Sequence, residues 1–327
     1  MFPESWSIIL AGGDGERMRE VIEHWLGLPR PKQYCTFVGT RSMFQHTVDR
    51  ADRVCRPQHR IIVAASHHRR DVLVQLEGRK RSLVLFQPRN CGTAAGILLA
   101  LTHLRQRSPN ATATILPSDH FICPEERFLT VLRSAESVVQ RRPDKIVVMG
   151  ACPDGPETDY GWIEPGSVCY VEGAHELRTV EGFKEKPSAA AARRALASGS
   201  FWNTLVLAAR VDTLWNLCKR LVPTNVRFFE ELANALNTAN EEAILENIYR
   251  HMPACDFSAD VLQLAREHLL VLPLHNVTWS DWGRPERVIQ SLERAGRAPA
   301  FASEVSVTAA TRMRNVAVEE EGTTAQV

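Results

Sequence analysis

The sequence predicts an α/β fold: a Rossmann-like mixed sheet, mainly parallel, flanked by helices. Three observations carry this. Short apolar, β-branched runs alternate with helix-length amphipathic stretches through the first half of the chain. The first run, residues 6–10, empties into a glycine-rich turn, Gly12-Gly13-Asp14-Gly15. A later run ends at Pro117-Ser118-Asp119, so an acidic residue stands where open α/β sheets collect ligands, beyond the carboxyl end of a strand.

In chain order, residues 6–10 read as a buried strand. Ser42 is placed to cap a helix running to about Val54, with Met43, Phe44, Val48 and Ala51 near one face. Residues 61–65 follow as a buried strand, then a polar helix near 69–77 and a strand at 83–86. The helix at 93–104 is apolar almost all round, as expected for one packed on a crowded side of a sheet. A strand at 113–116, a helix marked by Phe128, Val131, Leu132, Ala135 and Val139, and a strand at 146–149 complete the alternation. The second half is less regular. Ser188 caps an alanine-rich helix that Gly199 can end. Helices are expected over 211–221, 226–236 and 241–251, and Pro285 opens another that runs to about Ala295. Residues 1–300 are expected to form one domain, and 301–327, small, polar and acidic at Glu319-Glu320-Glu321, a flexible tail.

The 327 residues are 44% hydrophobic and 24% charged, the balance of a soluble protein with a substantial core. A net charge of +1 argues against bulk electrostatic binding to nucleic acid or to an anionic membrane, so any anion site must be local. The eight cysteines form no Cys-x-x-Cys pair, which argues against a zinc ribbon and for reduced, mostly buried thiols. No apolar run approaches the roughly 18 residues of a membrane helix. Glu4 and the lack of a basic leader point away from a signal peptide, and the expected location is cytoplasmic.

The glycine turn suits phosphate. Glycines let the backbone approach a ligand closely, and clustered N–H groups form an anion-binding concavity. Arg17 and Lys32 would add positive charge. A dinucleotide fingerprint would need glycine at Met18, and a Walker A loop would need Gly-Lys-Ser/Thr where Gly15-Glu16-Arg17 stands. The alternative is a plain surface turn. Asp119 offers a hard carboxylate of the kind that holds Mg²⁺ with substrate phosphates, or else caps a helix starting near Pro124. His120 reads as structural. Asp281, between Trp279 and Trp282, would be costly if buried unpaired, and a metal would remove that cost; otherwise it caps the helix at Pro285. Neither aspartate is expected to be neutralised by an Arg or Lys close in sequence. In Phe183-Lys184-Glu185-Lys186-Pro187, the proline biases Lys186 toward an extended backbone, so Glu185 and Lys186 should point to opposite sides. The alternative there is a solvated charge run.

Taken together, Leu10-Ala11-Gly12-Gly13-Asp14-Gly15-Glu16-Arg17 followed by Pro31-Lys32-Gln33 resembles the sugar-1-phosphate nucleotidyltransferases, and the Gln33 variant is most similar to their mannose-1-phosphate guanylyltransferase branch. Phe183-Lys184-Glu185-Lys186-Pro187, Tyr160-Gly161-Trp162-Ile163, Trp202-Asn203-Thr204, Arg89-Asn90-Cys91-Gly92-Thr93-Ala94 and Trp279-Ser280-Asp281 match family elements in family order, over about residues 6–296. The resemblance implies a nucleotide-diphospho-sugar transferase fold, with GTP and mannose 1-phosphate as substrates, Mg²⁺ as cofactor and homo-oligomerisation left open. It implies nucleotide binding by Leu10, Ala11, Gly12, Gly13, Gly15, Arg89, Asn90, Thr93 and Ser118, with Arg17 and Lys32 catalytic. Gly161, Glu185, Lys186 and Asn203 would bind the sugar phosphate, and Asp119 and Asp281 the metal. Three features depart from the family pattern: the segment 19–28 is longer, Trp-Pro-Leu is missing after the arginine, and Leu205-Val206-Leu207 replaces Gly-Met-Phe. The phosphomannose isomerase-like second domain of some relatives is expected to be absent. The rivals are another NTP:sugar-1-phosphate transferase and a silent nucleotide-sugar-binding homologue.

Overall fold

Strand β1 (Ser5–Ala11) lies inside the sheet because its side chains are apolar on both faces: Ile8 packs into one core layer and Ile9 into the other. The computed structural model describes residues 4–79 and 81–301. The first half holds α1 (Arg19–Leu26), α2 (Met43–Ala51), β2 (Arg60–Ala65), α3 (Arg69–Gln75), β3 (Leu83–Gln87), α4 (Thr93–Arg107), β4 (Thr112–Pro117), β5 (Phe121–Cys123), α5 (Glu125–Arg141) and β6 (Ile146–Ala151). These follow the expected alternation, with α1 and β5 added as two elements not expected. Ser42 caps α2 through a full capping box, its hydroxyl accepting the Gln45 N–H at 3.1 Å while Gln45 Oε1 accepts the Ser42 N–H.

The second half holds more strand than its sequence suggested. β7 (Trp162–Glu172) and β8 (His175–Lys184) pair as a hairpin. After α6 (Ala189–Ala197) come β9 (Phe201–Arg210), α7 (Val211–Leu221), α8 (Pro223–Ala235), α9 (Glu241–His251), β10 (Leu269–Leu274), β11 (Thr278–Ser280) and α10 (Pro285–Arg294). The sheet order is β3-β2-β1-β4-β9-β6-β10-β8-β7. β1 runs parallel to β2 and β4, β2 to β3, and β6 to β10, while β9 is antiparallel to both neighbours. The fold is therefore the mixed, mainly parallel sheet flanked by helices.

α4 packs with α7, α8 and α9 over one face, and α2 and α5 cover the other. A third, smaller cluster joins α1 and α10 around Phe37 and Trp282 and includes fully buried Phe301. Phe301 thus belongs to the folded body and not to the expected tail; 302–327 lie outside the described residues. All eight cysteines are free of disulfides; Cys35, Cys91, Cys218 and Cys255 are buried, but Cys152 and Cys169 are exposed, so the thiols are less uniformly buried than expected. No helix among the described residues is long and apolar enough to cross a membrane.

Candidate active site

The glycine turn leaves the end of β1 and enters a short 3₁₀ turn at Glu16–Met18. Gly15 has φ +65°, and a Cβ there would meet the Lys32 backbone nitrogen at 3.1 Å, so the turn requires glycine at this point. The Pro31-Lys32-Gln33 stretch clamps it from outside. Gln33 Nε2 donates to the carbonyls of Ala11 (3.2 Å) and Gly13 (2.6 Å), and the Tyr34 hydroxyl donates to Ala11 (2.9 Å). The two halves of the motif, separate in sequence, form one object.

The two candidate metal ligands are brought together by β5 and β11. These pair antiparallel with Phe121 opposite Ser280, so Asp119, two residues before Phe121, comes alongside Asp281, one residue after Ser280. Lys32 stands at their junction, its ammonium 3.0 Å from Asp119 Oδ2 and donating to the Asp281 carbonyl. Neither aspartate is a helix cap: α5 and α10 are preceded by Pro124 and Arg284, without side-chain caps.

The expectation that Asp281 would sit unneutralised is corrected. Its Oδ1 accepts from Tyr160 Oη (2.7 Å), the Gly283 N–H (2.9 Å) and Arg287 (3.1 Å), and its Oδ2 pairs with Arg17 at 3.0 Å. Arg287 lies only six positions away in sequence, on the first turns of α10, and was overlooked. Burial is the largest single influence on both carboxyls and opposes their ionisation. It is outweighed jointly by Lys32 with Tyr160, Arg287 and the Gly283 N–H at Asp281, and by Lys32 with His120 at Asp119, so both are held below the usual carboxylate range. His120 is structural, as expected: buried, holding the Trp279 indole N–H on Nδ1 at 3.3 Å, and pushed down to about 4 by burial. Trp282, at φ +46°, is a strained residue directly after Asp281.

A cleft of about 440 Å³ opens between the ends of β1 and β4, lined by Leu10, Gly12, Gly13, Asn90, Thr93, Ser118, Asp119 and Asp281. A neighbouring hollow of about 360 Å³ takes in Gly15, Arg17 and Lys32 and shares Asn90 and Asp119. This volume is in the range of small-ligand sites. Two expected nucleotide residues stand apart from the lining. Ala11 is buried and offers only its carbonyl, already taken by Gln33 and Tyr34. Arg89 donates to the last carbonyls of α9, those of Tyr249 and Arg250, because a guanidinium satisfies a helix C-terminus well. Gln87 and Asp256 line the cleft without having been singled out; both are lone polar residues in apolar or irregular stretches, with no motif to flag them.

Gly161, Glu185 and Asn203 meet beyond Leu205 and Asp256. The Asn203 N–H donates to the Gly161 carbonyl at 2.7 Å, Asn203 Oδ1 accepts the Leu205 N–H at 3.1 Å, and a Cβ on Gly161 would fall 2.4 Å from Glu185 Oε2. Glu185 Oε2 is buried and has no hydrogen-bond partner among the described residues. Burial, with Asp256 nearby, pushes this carboxyl up to about 7. Lys186 is exposed at φ +43°, not extended as Pro187 implied; the left-handed turn, sparsely populated by lysine, replaces the strand geometry at this point. Leu205, at φ +56° where the family pattern has glycine, also lines the cleft.

Residues 6–296 match the family model described as Nucleotidyl transferase. The chain is 29% identical to the mannose-1-phosphate guanylyltransferase of Escherichia coli (strain K12), over 85% of this chain and 58% of that protein. It is 28% identical to the xanthan biosynthesis protein XanB of Xanthomonas campestris pv. campestris (strain B100), over 91% of this chain and 62% of that one. It thus spans about three-fifths of the length of these curated relatives. The crystal structure of mannose-1-phosphate geranyltransferase from Thermus thermophilus has the same fold, with a TM-score of 0.73 at 24% identity over 90% of this chain and 79% of that one. The sheet order, the clamped glycine turn and the family match over nearly the whole described chain lead to one assignment: this protein belongs to the nucleotidyl transferase family.

Proposed function

We propose that the chain is an NTP:sugar-1-phosphate nucleotidyltransferase that transfers GMP from GTP to mannose 1-phosphate, giving GDP-mannose and pyrophosphate. The observation that carries the reading is the meeting of Asp119, Asp281 and Lys32 beside the clamped glycine turn. The names of the guanylyltransferase relatives support GTP and mannose 1-phosphate in particular. In this reading the triphosphate lies on the glycine turn. Arg17, half-exposed and held by Asp159 and Asp281, turns from those carboxylates to the phosphates, and Lys32 neutralises charge on the departing pyrophosphate. Glu185 Oε2 receives a sugar hydroxyl, which satisfies its missing bond, and Lys186 draws the sugar phosphate to the rim. A phosphate oxygen of the sugar attacks the α-phosphorus in line, and the bond to pyrophosphate breaks. The second pKa of such a phosphate is about 6, so the attacking oxygen is already ionised at pH 7 and no general base is needed.

Asp119 and Asp281 fit Mg²⁺ by donor type, both offering hard carboxylate oxygens, with the Lys32 ammonium held by the Asp119 carboxylate and the Asp281 backbone carbonyl. When bound, Mg²⁺ would supply charge neutralisation on the α-phosphate. Asp281 must then exchange its bond to Arg17, the same exchange that frees Arg17 for phosphate.

Steady-state kinetics of Lys186→Ala test the substrate assignment. KM for mannose 1-phosphate is expected to rise about tenfold or more with KM for GTP nearly unchanged, the pattern of a lost binding contact to one substrate. A rise confined to GTP would exchange the two assignments.

A further inference from the structure

A second cluster of ligating side chains lies outside the reaction described above. Asp14 projects from the glycine turn toward the short 3₁₀ turn Ser66–His68 that follows β2. Asp14 Oδ1 is 2.7 Å from His67 Nε2 and 3.3 Å from His68 Nε2, and one donor atom from each residue lies within 4.8 Å of the others. His68 is buried and braced edge-on against Tyr34, with ring centroids 5.5 Å apart, while His67 packs across His68 at 4.1 Å. The His68 imidazole is thus fixed before any ligand arrives, and the half-exposed His67 and Asp14 can adjust.

We propose that Asp14, His67 and His68 form a binding site for a divalent transition metal, Zn²⁺, Co²⁺ or Ni²⁺, distinct from the Asp119 and Asp281 pair. Two imidazoles and one carboxylate suit these borderline ions and not Mg²⁺, which prefers oxygen. Metal–nitrogen bonds of about 2.0–2.1 Å place neighbouring ligands roughly 3 Å apart, so the observed spacings need only a small opening at His67. A bound ion would tie the glycine turn to the end of β2. The turn would then be held in place by a metal as well as by Gln33, at the lip of the hollow that Gly15, Arg17 and Lys32 line. The proposal does not depend on the identity of the substrates.

The test is equilibrium dialysis of the full chain against Zn²⁺ in excess Mg²⁺, with hydrogen exchange of the glycine turn read on the same samples. One Zn²⁺ per chain is expected in the wild type, lowered in affinity at least tenfold by His67→Ala and by Asp14→Asn. Zn²⁺ should slow exchange at residues 12–17 in the wild type and leave it unchanged in His67→Ala, whose exposed side chain can be removed without disturbing the core. Cys152→Ser controls for thiol-borne metal, because Cys152 Sγ lies 3.5 Å from His275 Nδ1, and this variant should bind as the wild type does. Unchanged Zn²⁺ affinity in His67→Ala and Asp14→Asn, loss of binding in Cys152→Ser, or no Zn²⁺ retained by the wild type would each overturn the proposal.

Discussion

Lys32 is almost wholly buried, its ammonium paired with the Asp119 carboxylate and donating to the Asp281 carbonyl, so it ties the two segments together, and the proposed reaction uses the same cation. Removing it takes away a preorganised cation, an effect of about 10²–10³ in kcat. Lys32→Ala should show that loss, and Arg17→Ala a loss of similar scale; turnover near that of the wild type in either variant would take the residue out of the mechanism. Glu185 carries a different signature. Its folded pKa of about 7 lies above the ordinary 4.5, so between those values the folded chain keeps a proton that the unfolded chain has released. Its contribution to stability therefore falls as pH rises from about 4.5 to about 7 and is level beyond. Glu185→Gln removes that contribution, and the melting temperature of the variant relative to the wild type should climb across the same window. A difference that is constant with pH would show that Glu185 is ionised throughout.

At the scale of elements, the site is assembled by the shortest strands among the described residues. β5 and β11 have three residues each, yet their register sets Asp119 against Asp281 across more than 150 positions of sequence. If the two carboxylates serve one metal, removing both should cost little more turnover than removing one, because groups acting as a unit are strongly non-additive. The cycle of Asp119→Asn, Asp281→Asn and the double variant measures this, and single losses that multiply would separate the two residues. The same elements show what was legible in the sequence. Strand–helix alternation and the caps at Ser42 and Ser188 are local signals, and they placed α6 and the elements of the first half other than α1 and β5. The continuous apolar run of β10 and the motif-bearing start of β9 carry no alternation, and their strand character comes from pairing with distant β6. The ion pair of Asp281 with Arg17, and the clasp of Arg89 on α9, likewise depend on chain segments meeting in space, which spacing along the sequence does not reveal, whereas Arg287, six positions from Asp281, was within reach of it.

Over the whole molecule, two adjoining hollows run from the glycine turn past the Lys32 junction to Leu205 and Asp256, and Asn203, beside Gly161 and Glu185, accepts the Leu205 N–H. The motifs gathered there were recognisable in the sequence because close backbone approach and charge restrict which residues serve. Gln87, Asp256 and the Asp14, His67 and His68 cluster were not, since each is an ordinary residue until the sheet sets it in place. Leu205 stands in a left-handed conformation where the family pattern has glycine, and it lines the cleft. The central claim, that this site joins a nucleotide to a sugar phosphate, is tested most directly by pyrophosphate release from the purified chain with each pairing of ATP, CTP, GTP, UTP and dTTP with mannose, glucose, galactose and N-acetylglucosamine 1-phosphates. The account predicts Mg²⁺-dependent release, fastest with GTP and mannose 1-phosphate and abolished by chelation. Fastest release with another pair would keep the reaction and change its substrates; no release from any pair would contradict the account.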